Sequence, residues 1–139
     1  MKGPATYLNF DGNCRDAMKF YERCFGGELS LVAFGDMQGP GAPPPGMKDR
    51  VMHARLMKGS DVILMASDTM PGQGLPYRQG TNFWIMVPCE STAEVDKLFA
   101  VLSENGRVTM PLQSTFWAAR FGMLTDQFGI QWMLNFDKA

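Results

Sequence analysis

Histidine is all but missing from this chain: His53 is the single one among 139 residues. A catalytic metal needs about three protein ligands and open positions besides. With one histidine, only a carboxylate-rich site could supply them, and carboxylates are scarce on the stretches that read as strands. Cysteine is nearly as sparse. Cys14, Cys24 and Cys89 are odd in number and show no C-x-x-C spacing, which argues against a disulfide framework or zinc knuckle and for free thiols in a reducing compartment. Excess charge is lacking too. Thirteen Lys and Arg stand against fourteen Asp and Glu, a formal net charge of -1, so there is no electrostatic footprint for nucleic acid or an anionic membrane. No apolar run approaches the roughly 20 residues needed to cross a bilayer. The first ten residues, MKGPATYLNF, lack the apolar core and cleavage site of a signal peptide, and a cytoplasmic protein is expected.

What is present is an ordinary globular composition, 45% hydrophobic and 19% charged, in a chain long enough for one domain with a real core. Residues 5–10 alternate as a strand, with Tyr7 and Asn9 on one face. Asn13 is placed to cap a helix whose apolar face is Cys14, Ala17, Phe20, Tyr21 and Cys24, and Gly26-Gly27 ends it. Strands follow at 28–34, 50–57 and 62–66. Between the first two lies the Gly- and Pro-rich stretch from Gly35 to Gly46, a loop too long for a tight hairpin. A second loose stretch runs from Asp68 to Gly80. Then the order repeats: a strand at 82–87, a helix behind a Ser91/Glu94 capping box with Val95, Leu98, Phe99 and Leu102 as its stripe, and strands at 107–112, 116–124 and 130–136. The expected fold is α+β. It consists of two βαβββ modules, 5–68 and 81–136, joined by a linker at 69–80 within a single domain. Each helix covers one face of its sheet, so the other faces are left to line a cleft.

The residues YLNFDGNCRDAMKFY at 7–21, HARLMKGSDVILMASD at 53–68 and TMPLQSTFWAARFGMLTDQFGIQWM at 109–133 resemble the PhnB-like branch of the vicinal-oxygen-chelate superfamily, which includes glyoxalase I, bleomycin-resistance proteins and extradiol dioxygenases. The likeness covers nearly the whole chain. It implies a U-shaped cleft built by the two modules, and a homodimer. Members of this superfamily commonly hold a divalent metal with His, Gln and Glu, and many carry a Glu on the last strand. Here the corresponding position is near Met133, and a thioether is a poor ligand for hard metals. No cofactor is expected; a divalent metal is possible on the resemblance but disfavoured by these ligands. A methyltransferase name given to some members of the branch finds no support, since no strand is followed by a G-x-G turn opening a helix.

The candidate site residues follow from strand parity and from the resemblance. His53 and Arg55 alternate with Ala54 and Leu56, so they point away from the helix-covered side. The resemblance implies that His53 is a site residue. It is the candidate catalytic acid or base, histidine being the side chain whose unperturbed pKa lies near neutrality; the other reading is a hydrogen-bonded structural histidine. Laying HARL at 53–56 over AARF at 118–121 makes Arg55 and Arg120 equivalent. Two guanidinium forks facing a cleft would bind carboxylate or phosphate; alternatively each pairs with a local carboxylate such as Asp61 or Asp126. Tyr7, Asn9 and Phe116 complete the ligand-binding candidates, while Trp84 and Trp132 read as core. Two functions are compatible with this set. One is a protein that binds a small anionic or carbonyl-bearing molecule without chemistry. The other is a metal-dependent isomerase, lyase or dioxygenase of a small carbonyl or phenolic compound.

Overall fold

The computed structural model describes residues 1–36, 43 and 46–139. Most of the Gly35–Gly46 stretch therefore lies outside the described residues. Gly35 itself belongs to a short 3-10 turn, Phe34–Asp36. The chain divides into two compact units, Met1–Arg78 and Gln79–Ala139, each a βαβββ module.

The first unit comprises β1 (Tyr7–Phe10), α1 (Cys14–Phe25), β2 (Glu28–Ala33), β3 (Val51–Lys58) and β4 (Asp61–Asp68). Its sheet has the order β1-β4-β3-β2, with β1 parallel to β4 and the other pairs antiparallel. The apolar face of α1 is buried as its spacing requires, with Met18 added to the expected set. It packs on β2, β3 and β4, and Leu8, Phe10, Ala54, Leu56, Leu64 and Ala66 of the sheet are buried. Gly26 and Gly27 take positive φ at the helix end. A Cβ on Gly27 would run into the Met57 carbonyl, so this close approach requires glycine. The N-terminus of α1 differs from expectation. Asn13 makes no side-chain cap. The buried Asp68 caps the helix instead: its Oδ1 accepts from Gly12 N at 2.8 Å and Cys14 N at 3.0 Å, and its Oδ2 from Val51 N at 2.8 Å. An anion at a helix N-terminus also meets the positive end of the helix dipole.

The second unit comprises β5 (Ile85–Pro88), α2 (Thr92–Leu102), β6 (Arg107–Gln113), β7 (Ala118–Thr125) and β8 (Gln131–Asp137), in the order β5-β8-β7-β6. Ser91 Oγ caps α2 by accepting from Glu94 N at 3.0 Å, while Glu94 Oε1 reaches back to Glu90 N. Val95, Phe99 and Leu102 bury the helix stripe over β7 and β8. Asp126 orders the turn before β8: its Oδ1 accepts from Phe128 N and Ile130 N and its Oδ2 from the Trp132 indole N–H at 2.8 Å.

The two sheets share one register. Tyr7 and Arg55 flank Met65; in the same places Met86 and Met123 flank Met133. The frame of the repeat is thus kept strand by strand, while the side chains on it change. Among the described residues no helix is long and apolar enough to cross a membrane.

Candidate functional site

The helix-free face of the first sheet gathers four of the six candidate residues. One row across the strands is Tyr7, Met65, Arg55 and Ser30. The neighbouring row holds Asn9 beside Ser67, and His53 beside Val32. Alternation explains the sorting: Ala54 and Leu56 are fully buried under α1, whereas His53 is half-buried and Arg55 exposed. Tyr7 reaches across β4 toward β3. Its Oη lies 3.0 Å from His53 Nδ1, and the two rings are 5.7 Å apart at 35°. With the phenol donating to Nδ1, the imidazole proton sits on Nε2, which then points a donor away from Tyr7; with a protonated imidazole, Nδ1–H donates to the phenol oxygen. Ser67 Oγ donates to Asn9 Oδ1 at 3.4 Å. Among the described residues Arg55 makes no ion pair or side-chain hydrogen bond. The face therefore offers a tyrosine-held imidazole, an amide, a hydroxyl and an uncommitted guanidinium. Such groups suit a small molecule bearing carboxylate or carbonyl oxygens.

Arg120 does not join them. It pairs with Phe136 of β8, on the side of Trp132 and Leu134 that α2 covers, and its Nε donates to Asp96 Oδ1 of α2 at 2.8 Å. The partner is neither Asp61 nor Asp126. The cause is that AARF does not lie over HARL in the register: Arg55 pairs with Met65 as Met123 pairs with Met133, three residues beyond Arg120, and an odd offset exchanges the two faces. By register, the counterpart of Arg55 is Met123 and that of His53 is Phe121. Phe116 is also displaced from expectation. The strand begins at Ala118 rather than 116, because Thr115 closes a turn on Ala118 through its backbone N–H and its Oγ1. Phe116 lies in that connection, 88% exposed, with its ring edge-on to Trp117 at 4.8 Å.

Two groups escaped the reading of the sequence. Ser67 was placed beyond a strand expected to end at Ala66; β4 runs on to Asp68, and its period of two with Met65 was the available signal. Asn135 stands at the corresponding place in the second sheet, beside Phe121 and Pro88.

Metal chemistry fits this donor set poorly. Among the described residues no three His, Cys, Asp or Glu side chains stand together. Met133, near which the resemblance implies a last-strand glutamate, is flanked by Met86 and Met123, and thioethers do not select hard divalent ions. Cys14 and Cys89 add no nucleophile. Burial, and then the nearby Asp68 carboxylate, push the Cys14 thiol up to about 12; burial and Glu94 push Cys89 up to about 11. Both stay protonated thiols at neutral pH.

The model of the glyoxalase/bleomycin resistance protein/dioxygenase superfamily matches residues 5–134. Protein YjdN of Escherichia coli K12 is 37% identical, over 94% of this chain and 92% of its own. Protein PA1353 of Pseudomonas aeruginosa, a crystal structure, is 44% identical with a TM-score of 0.86 over the full length of both chains. A PhnB protein of Bacillus cereus, which bears the name of a 3-demethylubiquinone-9 3-methyltransferase, is 27% identical with a TM-score of 0.73, over 97% of this chain and 99% of its own.

Proposed function

The chain belongs to the glyoxalase/bleomycin resistance protein/dioxygenase superfamily, on its PhnB-like side, and from that premise we propose that it binds a small anionic or carbonyl-bearing molecule on the helix-free face of its first sheet. The observation that supports this most is the Tyr7–His53 contact at 3.0 Å beside an Arg55 with no protein partner among the described residues. Arg55 supplies the fork for the anion, Nε2 of His53 a second donor, and Asn9 and Ser67 the remaining polar contacts. Tyr7 sets the imidazole's orientation. Binding proceeds without a resident divalent metal, so metal analysis of the purified protein returns no stoichiometric ion. The protein works in the cytoplasm as a homodimer, and light scattering gives twice the 15.5 kDa of the chain.

The direct test is a thermal-shift and calorimetric titration with acetate, benzoate and pyruvate. Replacing Arg55 by Met removes a charge-assisted hydrogen-bond pair and weakens the best of these by about tenfold or more. His53→Ala weakens it as well, whereas Arg120→Met changes it by less than about twofold, its salt bridge to Asp96 being half-exposed. Affinity that survives both Arg55→Met and His53→Ala, or that falls equally with Arg120→Met, overturns the assignment.

A further inference from the structure

Among the described residues each sheet has two outer strands, and three of these four are poor partners for another chain. β1 and β5 span four residues each, β5 with Pro88 among them. β6 contains Pro111 and pairs with β7 through two register irregularities. β2 differs. It is six residues long, ELSLVA, and with Phe34 it makes the run LSLVAF at 29–34, which holds no charge, no proline and no glycine. A short uncharged run of high β-propensity on a sheet edge is a template for pairing with another copy of itself.

The outward backbone groups of β2 can be identified. In an antiparallel ladder alternate residues turn their backbone groups toward the partner strand and the others turn theirs away. Phe34 N donates to Arg50 O at 2.9 Å, on the β3 side, so Leu29, Leu31 and Ala33 present their N–H groups to the outside. Two of these three are taken by side chains. Leu29 N donates to Glu22 Oε2 at 2.8 Å, and Ala33 N donates to Asp36 Oδ2 at 2.9 Å. Leu31 N, between them, has no partner among the described residues. Asp36 reaches back from the 3-10 turn that follows β2. Glu22 comes from the last turn of α1, where the negative end of the helix dipole disfavours a carboxylate. Its bond to the sheet edge gives that placement a reason.

We infer that the β2 edge is a pairing surface for a second copy of this chain, and that Glu22 and Asp36 keep it closed. Two β2 strands related by a two-fold axis run antiparallel, and their ladder draws on the outward donors of both copies. With the outer two donors bound to carboxylates, only the central Leu31 N–H is left to start it. Charge acts in the same direction. With Leu31 on the axis, Leu29 comes opposite Ala33 of the second copy, so Glu22 meets that copy's Asp36, like charge against like charge. The inference concerns the backbone edge of β2 and does not depend on the anion site of the helix-free face.

The test is sedimentation velocity of the full chain. The unaltered protein is expected to keep one mass as its concentration is raised. The double variant Glu22→Ala, Asp36→Ala opens the edge and reaches about twice that mass or more at the highest concentration. Adding Leu31→Pro removes the central outward donor without touching a β2–β3 bond, and returns the mass to that of the unaltered chain. Aggregation from mere loss of stability responds in the opposite sense, since the proline relieves none of it. Amide hydrogen exchange reads the same arrangement in the unaltered chain, whatever the variants do. The Leu31 N–H should exchange about tenfold faster or more than those of Leu29 and Ala33. A double variant that keeps the unaltered mass overturns the inference. So does growth that Leu31→Pro fails to reverse, and so do Leu29 and Ala33 amides that exchange as fast as Leu31.

Discussion

Cys14 shows how a single buried group ties this fold to pH. It is the first residue of α1, it has no exposed surface, and its backbone N–H is held by the Asp68 carboxylate. Removal from water and the neighbouring anion both oppose the thiolate, which moves the thiol from 9.0 to about 12. Cys89 moves in the same direction, to about 11. A raised folded-state pKa means that the folded protein keeps a proton which the unfolded chain releases earlier. The stability linked to that proton is complete below about pH 9 and is lost as the pH climbs from there toward 11 and 12. The urea midpoint of the protein should accordingly fall between pH 9 and 11, and fall less steeply in Cys14→Ser, whose hydroxyl does not titrate in this range. Parallel slopes for the two proteins would rule out this linkage. At pH 8 iodoacetamide should label neither Cys14 nor Cys89 until urea unfolds the chain, as read by mass spectrometry.

At the scale of the element, each unit is fastened by one buried aspartate. Asp68 joins the end of β4 to the start of α1 and the start of β3 through three backbone donors, and Asp126 joins the β7–β8 turn to the Trp132 indole. Replacing Asp68 by Ala strands three N–H groups, two of them in buried surroundings. The expected loss is about 3–5 kcal/mol in urea unfolding, and Asp68→Asn, which keeps one acceptor, should lose less. A loss under about 1 kcal/mol for the alanine variant would mean that water replaces the carboxylate at no cost. These fastenings also mark what could be read from the sequence. The helix stripes, the order of elements along the chain and the facing of His53 and Arg55 depend on local periodicity, and they could be read. The cap on α1 could not, because its carboxylate comes from Asp68, 54 residues beyond Cys14. Arg120 was misplaced for a related reason. AARF resembles HARL in composition but stands three places away from it in the register, and strand pairing, which is not local, is what reveals the offset. Asn135 drew no notice, since an amide on a strand looks satisfied until its partners are counted; its Nδ2 donates to Asp137, while its buried Oδ1 has no partner among the described residues.

At the scale of the whole molecule, one frame is used twice for unlike surfaces. Equivalent register positions hold Tyr7 and Met86, Arg55 and Met123, His53 and Phe121, Ser67 and Asn135. The first face is polar and the second dominated by thioethers. What remains common is the means of forming a core: one amphipathic helix over a four-stranded sheet. That core is small. In the second unit it rests chiefly on Val95, Phe99, Leu102, Leu124, Trp132 and Leu134, within the segment Gln79–Ala139. A domain of about 60 residues buries only about 60% of the surface that its unfolded chain exposes, which leaves it marginally stable. A peptide of residues 79–139 is therefore expected to unfold at a lower urea concentration than the full chain and over a broader transition, since a smaller buried surface also lowers the denaturant slope. The same should hold for residues 1–78. Circular dichroism on both peptides and on the full chain tests this. If either peptide unfolded as sharply as the full chain and at the same midpoint, its own core would suffice, and the repeat would be two self-standing folds that happen to share a chain.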